Sequence, residues 1–255
     1  SAVDLPEQGP HFAQFFNTVD SFDTHHDIPA YFAKMNRVAK KAGRTAIIST
    51  GWDPGIFSLE RVLADAFIPG ATHNTFWGRG VSQGHSDAAR HVAGVRDARQ
   101  YTIPIEEALK RVRSGQNPKL STRDKHRRLV YVVAEAGADR KRIAREIAEM
   151  PNYYADYDTE VLFISEGEMK RDHSSYPHAG FVLASGTTGT ASRALTEYRC
   201  EWGSNPEATG SILVAHARAA ARLAAEGRSG AFTILDVPAA YLSPRPAVEL
   251  RASFM

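Results

Sequence analysis

The stretch from residue 17 to residue 50 constrains the fold more than any other part of the chain. Asn17-Thr18-Val19-Asp20-Ser21-Phe22 reads as a short strand following a helical stretch that ends near Phe16. Residues 28–42 then place Ile28, Phe32, Met35, Val38 and Ala39 on one face of a helix, and Gly43 offers a stop. Thr45-Ala46-Ile47-Ile48-Ser49-Thr50 reads as a buried strand, broken by Gly51-Trp52-Asp53-Pro54-Gly55. Strand, helix and strand within roughly thirty residues form a βαβ crossover, which demands a parallel sheet covered by helices.

After residue 55 the pattern changes. Helices are predicted at 56–67, 83–93, 104–114, 139–150 and 207–226, and strands at 74–77, 99–105, 128–136, 159–165, 179–185, 193–202 and 231–237. Leu129-Val130-Tyr131-Val132-Val133 alternates along its length, and Ser185-Gly186-Thr187-Thr188-Gly189 leaves only a turn between two strands, the mark of a mostly antiparallel sheet. The fold class is therefore α/β plus α+β. A partial Rossmann-like parallel-sheet domain takes residues 1–51 with about 206–255, and a second, mostly antiparallel domain takes 52–205.

Composition removes several functions. Lys and Arg number 31 against 29 Asp and Glu, interleaved to a net charge of +2, so no basic face invites nucleic acid. No apolar run approaches the ~18 residues of a membrane span, and the N-terminus lacks the regions of a signal peptide; a cytoplasmic protein is expected. Cys200 is the single cysteine, and neither His25-His26 nor His85 with His91 has the spacing of a tetrahedral metal site, so no metal is expected.

In an open parallel sheet, ligands bind beyond the carboxyl ends of the strands. Both predicted strands run into an aspartate, Asp23 and Asp53. Paired carboxylates suit an ammonium group; each also reads as an ordinary turn residue or cap. Asn74-Thr75-Phe76-Trp77-Gly78-Arg79-Gly80-Val81-Ser82-Gln83-Gly84-His85-Ser86-Asp87 is the densest unusual segment. It reads either as a ligand wall with close backbone approach or as a glycine-rich turn with Ser86 or Asp87 capping the next helix. The basic run 122–128 reads as a solvated face except for Arg128, which opens an apolar strand where its fork can meet a carboxylate. His178 sits at a strand start, and Asn205 before Pro206 reads first as a helix N-cap.

Six segments together resemble the meso-diaminopimelate dehydrogenases: Val19-Asp20-Ser21-Phe22-Asp23, Ser49-Thr50-Gly51-Trp52-Asp53-Pro54-Gly55, His73-Asn74-Thr75-Phe76-Trp77-Gly78, Ser82-Gln83-Gly84-His85-Ser86-Asp87, Tyr176-Pro177-His178-Ala179-Gly180 and Ser229-Gly230-Ala231-Phe232-Thr233. The resemblance implies NADP-dependent oxidative deamination of the D-centre of meso-2,6-diaminopimelate, a precursor of lysine and cell wall, by a homodimer whose second domain binds substrate and dimerises. It implies that Asp23 and Asp53 grip the reacting amino group and supply the proton acceptor, with Trp52 orienting it. Gln83, Gly84 and Trp77 would meet the same end, and Thr102, Arg128, His178 and Asn205 the distal one. Ser1, Ser21, Phe22, Asp23, Thr50, Gly51, Trp52, Asp53 and Pro54 would lie along the dinucleotide. The family opens with a strand, a Gly-x-Gly-x-x-Gly-like turn and a helix; none stands before Val19, so roughly 65 residues, about two βαβ turns, are expected to be missing from the sequence given. Two other readings stay open, a related NAD(P)-dependent oxidoreductase acting on another amino or oxo acid, and a diamino-acid-binding protein without catalysis.

Overall fold

The computed structural model describes residues 4–255. In chain order the elements are α1 (Leu5–Phe12), β1 (Thr18–Val19), α2 (Ile28–Ala42), β2 (Thr45–Ile47), α3 (Ile56–Phe67), β3 (Thr72–Trp77), β4 (Gly80–Val81), α4 (Gln83–Arg90), β5 (Val95–Pro104), α5 (Glu106–Arg113), α6 (Thr122–Lys125), β6 (His126–Ala134), α7 (Arg140–Ala148), β7 (Asp158–Phe163), α8 (Glu166–Asp172), β8 (His178–Thr188), β9 (Ser192–Trp202), α9 (Asn205–Ala225), β10 (Gly230–Phe232), α10 (Ala239–Leu242) and α11 (Ala247–Phe254). They group into two units, one of residues through Val62 with Pro206–Met255, the other Leu63–Asn205.

The first unit is built on a parallel sheet of order β1-β2-β10. Side chains of β2 and of Ile48 just after it alternate. Ala46 and Ile48 pack with Tyr31, Met35 and Ala39 of α2, while Ile47 packs with Ala219, Ala220 and Leu223 of α9. Both faces are thereby covered, as parallel pairing requires. Tyr31, Met35 and Ala39 recur every four residues and are all buried; burying a side chain such as Met35 contributes about 1.5–3 kcal/mol. The helix ends where Gly43 adopts φ 64°, its N–H returning to the carbonyls of Ala39 and Lys40. The C-terminal strand β10 joins this sheet beside β2. It is shorter than expected, because Thr233 and Asp236 form a capping box that turns the chain into a 3-10 helix at Ile234–Asp236.

The second unit holds two sheets. One is an antiparallel sheet of order β3-β8-β9, and the other has order β4-β5-β6-β7. In the latter β6 and β7 run parallel, with α7 in the connection between them. Residues of β5 and β6 alternate between two faces. Ala98, Val130 and Val132 pack under Ile143 and Ile147 of α7 together with Tyr154, whereas Tyr101 and Leu129 face the other way with Tyr131 and Ile103 beside them. Only a turn separates β8 from β9, but it lies later than expected: Gly186, Thr187 and Thr188 still pair with Ala194, Arg193 and Ser192, and the chain reverses at 189–191, with Gly189 at φ 61°.

Candidate functional site

In the first unit, β1 stops at Val19, three residues before the predicted end. The cause is Asp20. Its Oδ1 accepts from the backbone N–H of both Phe22 and Ser49, each at 3.0 Å, and its Oδ2 accepts from the Tyr31 hydroxyl at 2.8 Å. A side chain thus replaces the ladder and ties the loop after β1 to the loop after β2. Thr50 completes the tie, its N–H and hydroxyl both donating to the Asp20 carbonyl at 2.9 Å. Burial pushes the Asp20 carboxyl above its ordinary value.

The predicted acids therefore stand differently from a matched pair at two strand ends. Asp23 lies exposed in the loop beyond Asp20, after a partly buried Ser21 and a Phe22 packed on Tyr31 with centroids 4.5 Å apart. Asp53 is enclosed, with a side chain 3% exposed, and its Oδ2 holds the Arg61 guanidinium of α3 at 2.8 Å. The loop around it is compact. Ile56 N–H donates to Gly51 and Phe57 N–H to Trp52, and the Trp52 ring meets Phe57 edge-on at 5.1 Å. At Gly55, φ 134°, an added Cβ would fall 1.8 Å from the Gly51 carbonyl, so only glycine closes this loop. Thr50, Gly51 and Pro54 are buried within it. Ser1 lies outside the described residues.

The second unit carries a different constellation. Gly80, Thr102, Arg128 and Thr159 form one row across β4, β5, β6 and β7. His178, at the start of β8, packs against Gly80 so closely that a Cβ there would lie 2.5 Å from the His178 Cα. Arg128 is the third residue of β6, on the face turned to the core, and only 5% exposed; Arg123 and Arg127 of the same basic run are solvent-exposed. Its Nη1 donates to the Thr102 hydroxyl, its Nη2 lies 3.3 Å from Nε2 of His85, and its Cζ stands 3.8 Å from the centre of the Tyr157 ring. Among the described residues its Nε has no hydrogen-bond partner and no carboxylate forms an ion pair with it. Burial lowers the Arg128 pKa from its ordinary value.

Three histidines surround this cation and all are held neutral. Burial, reinforced by Arg128, takes His85 down to about 4, His126 to about 3 and His178 to about 4. His126 accepts from the Trp77 N–H at 2.9 Å and stacks on the Trp77 ring at 5.2 Å. A buried guanidinium without an anion costs several kcal/mol. Chemically, a buried guanidinium framed by neutral groups can receive a carboxylate.

Of the predicted residues, Thr102 and Arg128 share this row, His178 packs against its first member Gly80, and Trp77 lies beside His126 of β6. Gln83 and Gly84 begin α4 at the surface, and a Cβ on Gly84 would meet nothing within 4 Å. Asn205 opens α9, its N–H donating to the Tyr176 carbonyl at 2.7 Å. Neither Ser86 nor Asp87 caps α4, which begins already at Gln83 after Ser82; Ser86 is buried, donating to the Ser82 carbonyl and accepting from Gln100 N–H. The sequence reading missed Asp20, His85 and Tyr157. Three tyrosines in Pro151-Asn152-Tyr153-Tyr154-Ala155-Asp156-Tyr157, a turn segment that favours small polar residues, were the available signal.

Known proteins similar to this chain agree on one class. The family model described as Diaminopimelic acid dehydrogenase C-terminal domain matches residues 51–204. The meso-diaminopimelate D-dehydrogenase of Ureibacillus thermosphaericus is 54% identical over 255 residues, covering 100% of this chain and 78% of that protein. A six-substitution variant of the Clostridium tetani E88 enzyme, solved with DAP, superposes with a TM-score of 0.94 at 49% identity, over 100% of this chain and 79% of the other. An engineered D-amino acid dehydrogenase bound to NADP+ superposes with a TM-score of 0.87 at 44% identity, again over 100% and 79%.

Proposed function

The chain belongs to the meso-diaminopimelate dehydrogenase family, and on that premise we propose how its residues carry out the NADP-dependent oxidative deamination of the D-centre of meso-2,6-diaminopimelate to L-2-amino-6-oxopimelate and ammonia. The observation that carries the reading is Arg128, a buried cation framed by a hydroxyl, an aromatic face and neutral imidazoles. In our reading it binds the distal carboxylate, with Thr102, His178 and Asn205 around the same end. The six side chains replaced in the C. tetani variant are a glutamine, a threonine, an arginine, a proline, a histidine and an asparagine. Gln83, Thr102, Arg128, Pro177, His178 and Asn205 follow here in the same order and at the same separations, which supports the assignment.

In the first unit we assign the reacting amino group to Asp53 and Asp23. Asp53, oriented by Arg61, offers a fixed negative charge to the ammonium. Asp23, exposed, takes up the proton that the nitrogen must lose before its lone pair can form the C=N bond, and passes it to solvent. Trp52 orients this end, and in the second unit we assign Trp77, Gln83 and Gly84 to substrate contact. NADP, when bound, would supply the acceptor for the hydride of Cα; water then adds to the iminium carbon and ammonia departs. The residues fit the cofactor. Asp20 fixes two loops beyond parallel strands, the position at which such sheets bind dinucleotides, and Ser21, Phe22, Thr50, Gly51 and Pro54 are the residues that would hold it.

The working form we propose is a homodimer joined through the second unit, where β9 is an open sheet edge with mostly exposed residues. No helix among the described residues is long and apolar enough to cross a membrane; the setting we propose is cytoplasmic.

The test is turnover. Purified protein with NADP+ and meso-diaminopimelate should reduce the cofactor, read by near-ultraviolet absorbance, and release one ammonia per cofactor reduced. Binding of substrate without cofactor reduction, or turnover confined to other amino acids, would overturn the reading.

A further inference from the structure

We propose that His85 is a positioning residue, a neutral hydrogen-bond acceptor that sets the orientation in which Arg128 meets a carboxylate. The inference rests on the assignment of Arg128 to the distal carboxylate.

A guanidinium on a strand keeps freedom about its terminal torsions unless its edges and one face are fixed. Here three groups fix it. The Thr102 hydroxyl takes Nη1, the Tyr157 ring covers one face, and Nε2 of His85 lies 3.3 Å from Nη2. A guanidinium has only donors, so His85 must accept, and its proton must sit on Nδ1. The structure supplies the partner for that proton, since Ser82 Oγ lies 2.8 Å from Nδ1. One tautomer satisfies both contacts.

The imidazole is itself held from several sides. The rings of Tyr153 and Tyr154 stand edge-on to it at 5.4 and 5.8 Å, and the Tyr154 hydroxyl donates to the His85 carbonyl at 2.6 Å. The first turn of α4 is pinned to β5 at Gln100, whose N–H donates to Ser86 Oγ and whose carbonyl accepts from Ser82 N–H. Gln100 also donates its side-chain amide to the Thr102 hydroxyl at 3.3 Å. Helix, strand and turn therefore all bear on the placement of one nitrogen.

The choice of a neutral acceptor has a chemical consequence. A glutamate or aspartate in place of His85 would orient Arg128 equally well but would neutralise it and compete with the ligand. An imidazole held without its second proton orients the fork and leaves the whole positive charge to an incoming carboxylate.

Steady-state kinetics on the full chain test the idea. His85→Leu removes the acceptor. The expected result is a KM for meso-diaminopimelate raised roughly 10- to 100-fold, the worth of one hydrogen bond to a charged group. The KM for NADP and kcat should each stay within about 3-fold, a change of well under 1 kcal/mol. His85→Gln, which restores a neutral acceptor, should return the substrate KM to within about 5-fold of wild type. Should His85→Leu fail to fold, His85→Asn, too short to reach Nη2, takes its place. A substrate KM unchanged in the variant lacking the acceptor, a parallel rise in both KM values, or failure of folded His85→Gln to rescue would each overturn the proposal. Arg128→Met in the same assay separates the two readings. If it raises the substrate KM while the His85 variants are silent, only the positioning role fails; if it too is silent, the assignment of Arg128 fails.

Discussion

Thr102 on β5 and Arg128 on β6 stand directly opposite each other in an antiparallel pair, and the threonine hydroxyl accepts from the guanidinium across the strands. Opposed residues share a face and lie close enough for their side chains to meet. The register of two strands therefore fixes where the buried charge is presented, and the chemistry of the site follows from ladder pairing.

Replacing Arg128 separates binding from folding. Arg128→Met keeps most of the volume and removes a buried, unpaired charge. The KM for meso-diaminopimelate should rise by the equivalent of about 2–5 kcal/mol, while the melting temperature of the ligand-free protein should stay level or increase, because the desolvation cost disappears. A lower melting temperature with unchanged KM would make Arg128 a structural residue.

Asp53→Asn removes charge without volume. We expect kcat to fall by roughly 100-fold or more, with a stability loss of about 1–3 kcal/mol because Arg61 is left facing an amide. Urea unfolding and steady-state turnover measure the two effects separately. Full activity in the variant would remove Asp53 from the chemistry.

Acid should weaken the fold in a defined window. The neutral imidazoles of His85, His126 and His178 take up a proton only near pH 3–4 in the native state, against 6.5 when unperturbed. The unfolded chain thus binds more protons between these values. Stability is complete above about pH 6.5 and is lost as pH falls through the native values, by on the order of 3 kcal/mol per histidine and less than additively, since all three face Arg128. Urea midpoints from neutral pH to pH 4 should trace the fall. His126→Gln, which retains an acceptor for the Trp77 N–H, should flatten it; an unaltered slope would place the proton uptake elsewhere.

Asp20 should matter for stability more through its oxygens than its charge. Asp20→Ala leaves Phe22 N–H, Ser49 N–H and the Tyr31 hydroxyl without their acceptor, at about 2–5 kcal/mol. Asp20→Asn keeps an oxygen for the two amides and should cost less than half as much. Thermal melts of both variants check the order, and equal losses would make the charge decisive.

Regular elements were the legible part of the sequence. The bounds of α2 and α3 agree with the periodicity of their apolar residues, and the predicted parallel unit is present. What escaped was set by side chains bonding to distant backbone. Asp20 shortens β1 through Ser49, 29 residues away, and no local pattern reports such a partner. His85 and Tyr157 reach Arg128 from a helix and a turn that meet only after β5, β6 and β7 have paired. Arg128 itself was recognisable because it directly precedes the apolar run 129–133, whereas Arg123 and Arg127 before it face water. Helix α8 could have been read from Ser165 and Glu168, which form its capping box.

Arg128, the anchor we propose for the ligand, sits on an inner strand, bonded to a neighbour on either side. Its conformational entropy is lost when the sheet forms, so capture of a carboxylate requires little further ordering there. Such a receptor does not adapt by flexing. A homologue with a taste for a different ligand would have to exchange the side chains along that row, because remodelling surface loops would leave the guanidinium where the ladder put it.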